Sequence, residues 1–329
     1  MILVTGAAGH IGNVLVRELV SEGRKVRGLV LPEEDISSLE GLDIEIVEGN
    51  VLDLNSLNNA MKGIEIVFHL AGVISIMPGK NEWMQKVNVD GTKNVLKAAK
   101  RNGISRFVYT SSIHALSRSW IGKIDENVPF DPENLAGGYD RTKAAASLAV
   151  LDSVKEGMDA VIVCPTGVIG PHDYRGSEMG DLVQSWFKNK MHFMVKGAYD
   201  FVDVRDVAHG HILACDRGRT GEVYILSGWQ IKVFELKKLV QDNLGHRIVS
   251  FTIPIPVAKF AARFMPFYYR LTNKTPKFTK YSLETLQSNS DVSNKKARQE
   301  LGFKPRKLSV TVKDTVAWFL RRKQKSGIR

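Results

Sequence analysis

Tyr139-Asp140-Arg141-Thr142-Lys143 places a phenol and an ammonium four residues apart. The run that follows, Ala144-Ala145-Ala146-Ser147-Leu148-Ala149-Val150, is strong helix-forming sequence. Residues i and i+4 are neighbours on one helix face, so the two groups share a side. A phenol titrates near ~10 when unperturbed, too high for acid–base work at neutral pH. An ammonium one turn away favours the phenolate, which predicts a lowered pKa for Tyr139. Such a pair could pass a proton to or from a substrate oxygen. The spacing alone fits a surface tyrosine beside a solvated lysine equally well, so the rest of the chain must decide.

The elements that would position this pair begin at the N-terminus. Ile2-Leu3-Val4-Thr5 reads as a buried strand running into Gly6-Ala7-Ala8-Gly9-His10-Ile11-Gly12 and an amphipathic helix over 13–22. Glycines at 6, 9 and 12 allow a tight turn, close backbone approach to a pyrophosphate, and close helix–strand packing. The helix N-terminus offers its N–H groups and positive dipole end to phosphates. On this reading Gly6, Ala8, Gly9, His10, Ile11 and Gly12 belong to a dinucleotide site. Further strands are expected at 25–31, 44–47, 64–70 and 107–112, with a long helix over 82–102. The alternation predicts an α/β fold, a doubly wound parallel sheet covered on both faces. Gly6, Asn50, Gly72 and Ser112 all fall at carboxyl ends of strands, where open α/β sheets bind ligands.

Composition narrows the alternatives. With 329 residues the chain can form one large domain or two ordinary ones. Its only cysteines, Cys164 and Cys215, cannot build a disulfide framework or a cysteine metal site. The histidines at 10, 172, 192, 209, 211 and 246 show no ligand spacing, so no metal is expected. No apolar run reaches ~18 residues, so no transmembrane segment is expected. Met1 leads straight into Ile2-Leu3-Val4 without a signal core, and a cytoplasmic location follows as the default. Residues 1–164 carry 17 Lys and Arg against 21 Asp and Glu, whereas residues 165–329 carry 29 against 14. The basic half reads as a solubilising face, since no nucleic-acid module accompanies it.

Several motifs occur in order along the chain: Thr5 to Gly12, Phe68-His69-Leu70-Ala71-Gly72, Asn88-Val89-Asp90-Gly91-Thr92, Tyr109-Thr110-Ser111-Ser112 and Tyr139 to Lys143. Pro165-Thr166-Gly167-Val168-Ile169-Gly170-Pro171, Phe201 to Val207, Gly221-Glu222-Val223-Tyr224 and Lys296 to Phe303 continue the series. Together they resemble the extended short-chain dehydrogenases/reductases of the NAD-dependent epimerase/dehydratase superfamily, over nearly the whole chain. The resemblance implies a Rossmann core with a smaller C-terminal substrate-binding lobe. It implies Tyr139 as acid–base, Lys143 as the partner that also bonds the nicotinamide ribose, and Ser112 as hydrogen-bond donor to the substrate oxygen. Asn50 and Val51 would meet the adenine, although the family usually has Asp at position 50. His69, Leu70, Ala71, Gly72 and Asn88 would line the cofactor path, and Pro165, Thr166, Gly167 and Val168 would border the nicotinamide. His114 reads as packing.

Residues 1–164 are expected to form the dinucleotide-binding core, with returns near 199–228, and residues 165–329 mainly the substrate lobe. The stretch from Ile253 to Arg270 holds Phe260, Phe264, Met265, Phe267, Tyr268 and Tyr269 among Lys259, Arg263 and Arg270. It suits a hydrophobic ligand, a lobe core, or a membrane-surface helix. Arg321-Arg322-Lys323-Gln324-Lys325 reads as a frayed helix end.

Sugar-nucleotide enzymes of this superfamily commonly carry Arg-Pro-x-Asn-x-Tyr-Gly-Pro where this chain has Cys164 to Pro171, and an Arg where it has Tyr199. A diphosphate needs such fixed donors. The chain more closely resembles the dihydroflavonol 4-reductase and 3β-hydroxysteroid dehydrogenase branch. That implies an NAD(P)-dependent oxidoreductase interconverting a secondary alcohol and a carbonyl on a small, apolar molecule. A sugar-nucleotide epimerase or dehydratase and a non-catalytic dinucleotide-binding regulator are the rival readings. The second strand ends Leu29-Val30-Leu31-Pro32, followed by Glu33, Glu34 and Asp35, with no cation in reach, and Arg24, Lys25 and Arg27 lie too far back. Nearby carboxylates would repel a 2′-phosphate, which favours NAD over NADP. The partners expected are a small-molecule substrate and a second copy of the chain in a homodimer, with no nucleic acid.

Overall fold

Ile2–Thr5 has no polar face to show to water, and it forms β1, buried at every position. The computed structural model describes residues 1–74, 81–187, 191–272 and 280–325; side chains of residues 265–272, 280 and 325 lie outside that description. After β1 come α1 (His10–Ser21), β2 (Val26–Val30), β3 (Glu45–Glu48), α2 (Leu54–Ala60) and β4 (Ile66–His69). The expected long helix begins as α3 (Asn81–Met84), passes through a π-helical turn (Gln85–Asp90) and continues as α4 (Gly91–Arg101). Then follow β5 (Arg106–Thr110), α5 (Gly138–Lys155) and β6 (Ala160–Pro165).

The remainder runs β7 (Gly167–Ile169), α6 (Glu178–Ser185), β8 (His192–Met194), β9 (Ala198–Asp203), α7 (Val204–Arg217), β10 (Val223–Leu226) and β11 (Trp229–Lys232). It ends with α8 (Val233–Leu244), β12 (Ser250–Thr252), α9 (Ile255–Thr272), α10 (Lys280–Gln287) and α11 (Leu308–Lys325).

Seven strands form a wholly parallel sheet in the order β10-β6-β5-β4-β1-β2-β3. Strand order reverses between β1 and β4, and a crevice opens beyond the carboxyl ends at such a point. The register sets Thr5 beside Leu29 on one side and His69 on the other. One face is covered by α1 and α7, through Leu15, Leu19, Val207 and Ile212. The other is covered by α4 and α5, through Val95, Ala99, Ala146 and Val150. The sheet is therefore buried on both sides, which is why its strands read as apolar runs.

Part of the chain beyond residue 165 builds a separate core. β7, β9 and β11 make a three-stranded sheet, and β8 pairs parallel with β12. Trp186, Leu236, Val312 and Phe319 fill that core with Ile169 and Phe201. α7 and β10 instead lie against and within the large sheet. The C-terminal helix is less frayed than its charge run suggests. Arg322 donates to the Asp173 carbonyl at 3.0 Å and lies over the Tyr174 and Trp318 rings, both at 5.4 Å, so packing holds it. Among the described residues no helix is long and apolar enough to cross a membrane. Cys164 and Cys215 are buried free thiols.

Candidate active site

The glycine turn is shaped by backbone crowding. Gly6 sits at φ 68°, and a Cβ there would come within 2.8 Å of the Ala71 nitrogen. A Cβ on Gly12 would lie 2.1 Å from the Gly6 carbonyl oxygen. Only glycine satisfies both positions. Gly9 caps α1 without a side chain, leaving the first-turn N–H groups uncapped by any side chain. The Asn13 amide ties the turn together, donating to the carbonyls of Gly9, His10 and His172 at 2.7, 3.1 and 3.1 Å. The Ser38 hydroxyl donates to the Ala8 carbonyl, and the His10 ring bonds the Pro171 carbonyl at 3.0 Å. Burial lowers the His10 pKa. Ile11 packs on the core beneath. A cradle without side chains at a helix N-terminus fits a pyrophosphate.

The wall beside it is braced by a polar relay. Thr92 donates its hydroxyl hydrogen to the Asn88 carbonyl at 2.6 Å, so its oxygen accepts from His69 Nε2 at 3.0 Å. His69 Nδ1 then accepts from Thr5 Oγ1 at 2.7 Å, and that oxygen accepts the Ala71 amide at 3.1 Å. Burial, with Lys143 adding, pushes His69 down to about 3, so the ring is neutral. Asn88 clasps both polar atoms of Val73 and donates to Thr142 on α5. His69 and Asn88 thus brace the backbone of Leu70, Ala71 and Gly72 from behind. Asn50 Oδ1 accepts the Leu52 amide at 2.9 Å, closing its own turn, and Val51 packs under Gly91.

Tyr139 and Lys143 share one face of α5, and Ser112 stands just beyond β5. The expected lowering of the Tyr139 pKa is not what the structure gives. Burial pushes the phenol up to about 12, against a hydrogen bond with Ser112 that works the other way and with Asp140 adding to the rise. Lys143 has turned elsewhere. Its Nζ donates to the Thr110 carbonyl at 2.5 Å and to Tyr109 Oη at 3.3 Å, over the Tyr109 ring. Burial pushes that amine down to about 8. Inside a dry wall the amine satisfies itself on a backbone carbonyl, and desolvation outweighs any help it gives the phenolate.

His114 is more than packing. Arg118 donates to His114 Nδ1 at 2.8 Å, so that nitrogen accepts and Nε2–H donates to Tyr199 Oη at 2.6 Å. Burial first and Arg118 second hold His114 at about 3. Arg118 also pairs with the fully buried Asp140 at 2.7 Å, and Tyr281 on α10 donates to the same carboxylate at 2.6 Å. This network runs edge-on to Tyr139, 6.4 Å between ring centres. Beside it lies a cavity whose lining mixes Ile113, Leu116, Ile124 and Val292 with polar groups that include Arg118, Thr166, Tyr199, Asp200 and Ser290. Thr166 Oγ1 donates to Asp200 at 2.6 Å. Pro165 ends β6, and Gly167 and Val168 open β7, at the rim.

A cation does reach the end of β2. Arg175, from beyond β7, pairs with Glu34 at 2.7 Å and donates to the Asp35 carbonyl at 3.1 Å. Glu34 also accepts the Leu31 amide at 2.7 Å. Arg27 is spent on the Ala60 and Lys62 carbonyls and on Glu45, out of reach as expected. Among the described residues Glu18, Glu22 and His209 come close enough to share a cation on the surface, where His209 already pairs with Glu18.

The later motifs do structural work. Asp203 caps α7 by accepting the Arg205 amide at 2.8 Å, and Asp206 accepts from Arg306. Lys296 pairs with Glu222, and Tyr224 donates to Glu300 at 2.8 Å, which joins the last two motifs.

Sheet order, glycine cradle and the tyrosine–lysine face of α5 define a dinucleotide-binding α/β enzyme. The chain belongs to the NAD-dependent epimerase/dehydratase family, whose profile matches residues 2–227, and is an NAD(P)-dependent oxidoreductase of the short-chain dehydrogenase/reductase type. It is 33% identical to sterol demethylase protein B of Methylococcus capsulatus, over 97% of this chain and 98% of that one. It is 29% identical to a 3 beta-hydroxysteroid dehydrogenase/Delta 5→4-isomerase of Mycobacterium tuberculosis, over 92% and 86%. In fold it matches a dTDP-glucose 4,6-dehydratase from Streptomyces venezuelae solved with NAD bound, with TM-score 0.81 and 20% identity over 98% of each chain.

Proposed function

We propose that this enzyme interconverts a secondary alcohol and a carbonyl on a small apolar molecule. The observation that carries the reading is the hydrogen bond between Ser112 and Tyr139 beyond β5, with Lys143 on the same face of α5, next to a cavity of mixed aliphatic and polar lining. When bound, the nicotinamide supplies or accepts the hydride at the reacting carbon. Tyr139 delivers the proton to the oxygen, and Ser112 donates a hydrogen bond that stabilises charge developing there. With its phenol held up at about 12 by burial, Tyr139 carries a proton at neutral pH and can donate it to a carbonyl oxygen. Lys143, near Gly72 on the cofactor path, is the group to bond the nicotinamide ribose.

Three observations support an apolar substrate over a nucleotide sugar. Arg118, the arginine lining the cavity, is committed to Asp140 and His114. Asp200 lines the same cavity and would repel a diphosphate. The relatives named for a sterol and a steroid align over nearly the whole chain. Tyr199, accepting from His114, keeps its own hydroxyl hydrogen for a ligand oxygen. For the cofactor we favour NAD over NADP, because Glu34 stands at the end of β2, where the ribose 2′-hydroxyl is read. We assign residues 1–164 with the returns near 199–228 to cofactor binding, and the remaining C-terminal part to the substrate.

A panel of sterol-like, flavonoid-like and small ketones, with NADH and NADPH, followed by loss of reduced-nicotinamide absorbance, tests the reading. Turnover of an apolar ketone supports it. Thermal stabilisation of the cofactor-loaded protein by a UDP-sugar, with no response to apolar ketones, would transfer the assignment to an epimerase.

A further inference from the structure

The described part of α9, residues 255–264, turns its two phenylalanines away from the core. Ala258 and Ala262, one turn apart, are buried against Val195 and Leu283. The opposite face shows Val257, Phe260 and Phe264, 55%, 68% and 59% exposed, at i, i+3 and i+7. The two phenylalanine rings stack edge-to-face, 5.3 Å apart. Phe251 on β12, just before α9 in the chain, is the register partner of Phe193 on β8, and both are exposed. A grouping of large apolar side chains in water marks a contact surface.

Charge identifies the occupant. Residues 243–283 contain seven Lys or Arg and no Asp or Glu. Of these, Arg247, Lys259 and Arg263 are exposed on or beside the same elements. Aromatic residues flanked by cations, on a helix that does not cross the membrane, suit the interface of an anionic bilayer. A protein partner would have to be strongly acidic and apolar at once.

We propose that the α9 face, with Phe193 and Phe251, docks this enzyme on the surface of an anionic lipid bilayer. Each cation near such a surface strengthens binding roughly fivefold. Burying a phenylalanine side chain strengthens it roughly tenfold or more. The proposal stands apart from the active-site reading, because its test measures no turnover.

The experiment is co-sedimentation of the full chain with vesicles of equimolar phosphatidylglycerol and phosphatidylcholine, or of phosphatidylcholine alone. The expected result is binding to the anionic vesicles only, weakened by added salt. Phe260→Ser with Phe264→Ser should lose at least tenfold in vesicle binding and keep the thermal midpoint, since both side chains are exposed. Lys259→Glu with Arg263→Glu, a second variant that leaves the apolar stripe intact, should also lose binding. No wild-type binding to anionic vesicles would overturn the proposal, as would unchanged binding by both variants. Concentration-dependent self-association abolished by the serine variant, without vesicle binding, would assign the face to a second copy of the chain and also overturn it.

Discussion

Tyr281 donates its hydroxyl hydrogen to the buried Asp140 carboxylate at 2.6 Å, 141 positions away in sequence, and Asp140 directly follows Tyr139. The C-terminal α10 thereby touches the first turn of the helix that carries the proposed acid. Arg118 completes the clamp from the other side. A buried carboxylate with two partners has one orientation, and so does the turn it belongs to.

Tyr281→Phe therefore acts as a positioning variant. Losing a hydrogen bond to a buried charge costs about 1.5–3 kcal/mol of stability. The expected outcome is a lower thermal midpoint, unchanged dinucleotide affinity and a several-fold fall in kcat with little change in KM. A shifted midpoint with kcat intact would reduce the contact to a purely structural one.

Tyr139→Phe removes the proton path and little else. Turnover is expected to fall by ~10²–10⁴, the usual contribution of a general acid–base. Dinucleotide binding, followed by quenching of protein fluorescence, should stay within about twofold. Retention of more than about a tenth of wild-type activity would remove Tyr139 from the proposed chemistry.

Stability should fall in mild acid. His69 and His114 are held at about 3 and His211 at about 4, all through burial, against an ordinary value of 6.5. Because folding depresses these values, their contribution is complete above the unfolded pKa and is lost as pH falls through the folded ones. Below 6.5 the unfolded chain takes up protons that the native rings refuse. Within that window each histidine contributes a slope of up to about 1.4 kcal/mol per pH unit. Urea midpoints measured at several values between about pH 7 and about pH 5 check this, and His114→Gln should flatten the profile if it folds. A level profile across that range would mean that these rings are protonated in the native state.

Glu34 and Arg175 make opposite demands at the cofactor's 2′ position. With Glu34 as the reader, NADH binds more tightly than NADPH, and Glu34→Gln narrows the gap several-fold. Dissociation constants for both dinucleotides decide the matter. Tighter NADPH binding, lost on Arg175→Ala, would instead make Arg175 the phosphate contact.

The sequence by itself determined the sheet, the glycine cradle and the tyrosine–lysine face. Burial on both faces leaves strands of unbroken apolar residues, as in Ile2–Thr5 and Ala160–Pro165. Backbone crowding leaves glycine as the only residue for positions 6 and 12. Helical spacing puts Tyr139 and Lys143 on one side without reference to anything distant. All of these are local consequences of periodicity and sterics. Tertiary structure decided what periodicity cannot encode: that Lys143 turns to the Thr110 carbonyl, that Arg175 reaches Glu34, and that Tyr281 and Arg118 share Asp140. It also decided that Phe260 faces water while Ala258 faces the core, against the usual preference for burying the larger side chain. Long polar side chains choose partners only after loops far apart in the chain have been brought together. Desolvation at that point, and not spacing along a helix, sets the direction in which the Tyr139 and Lys143 pKa values move.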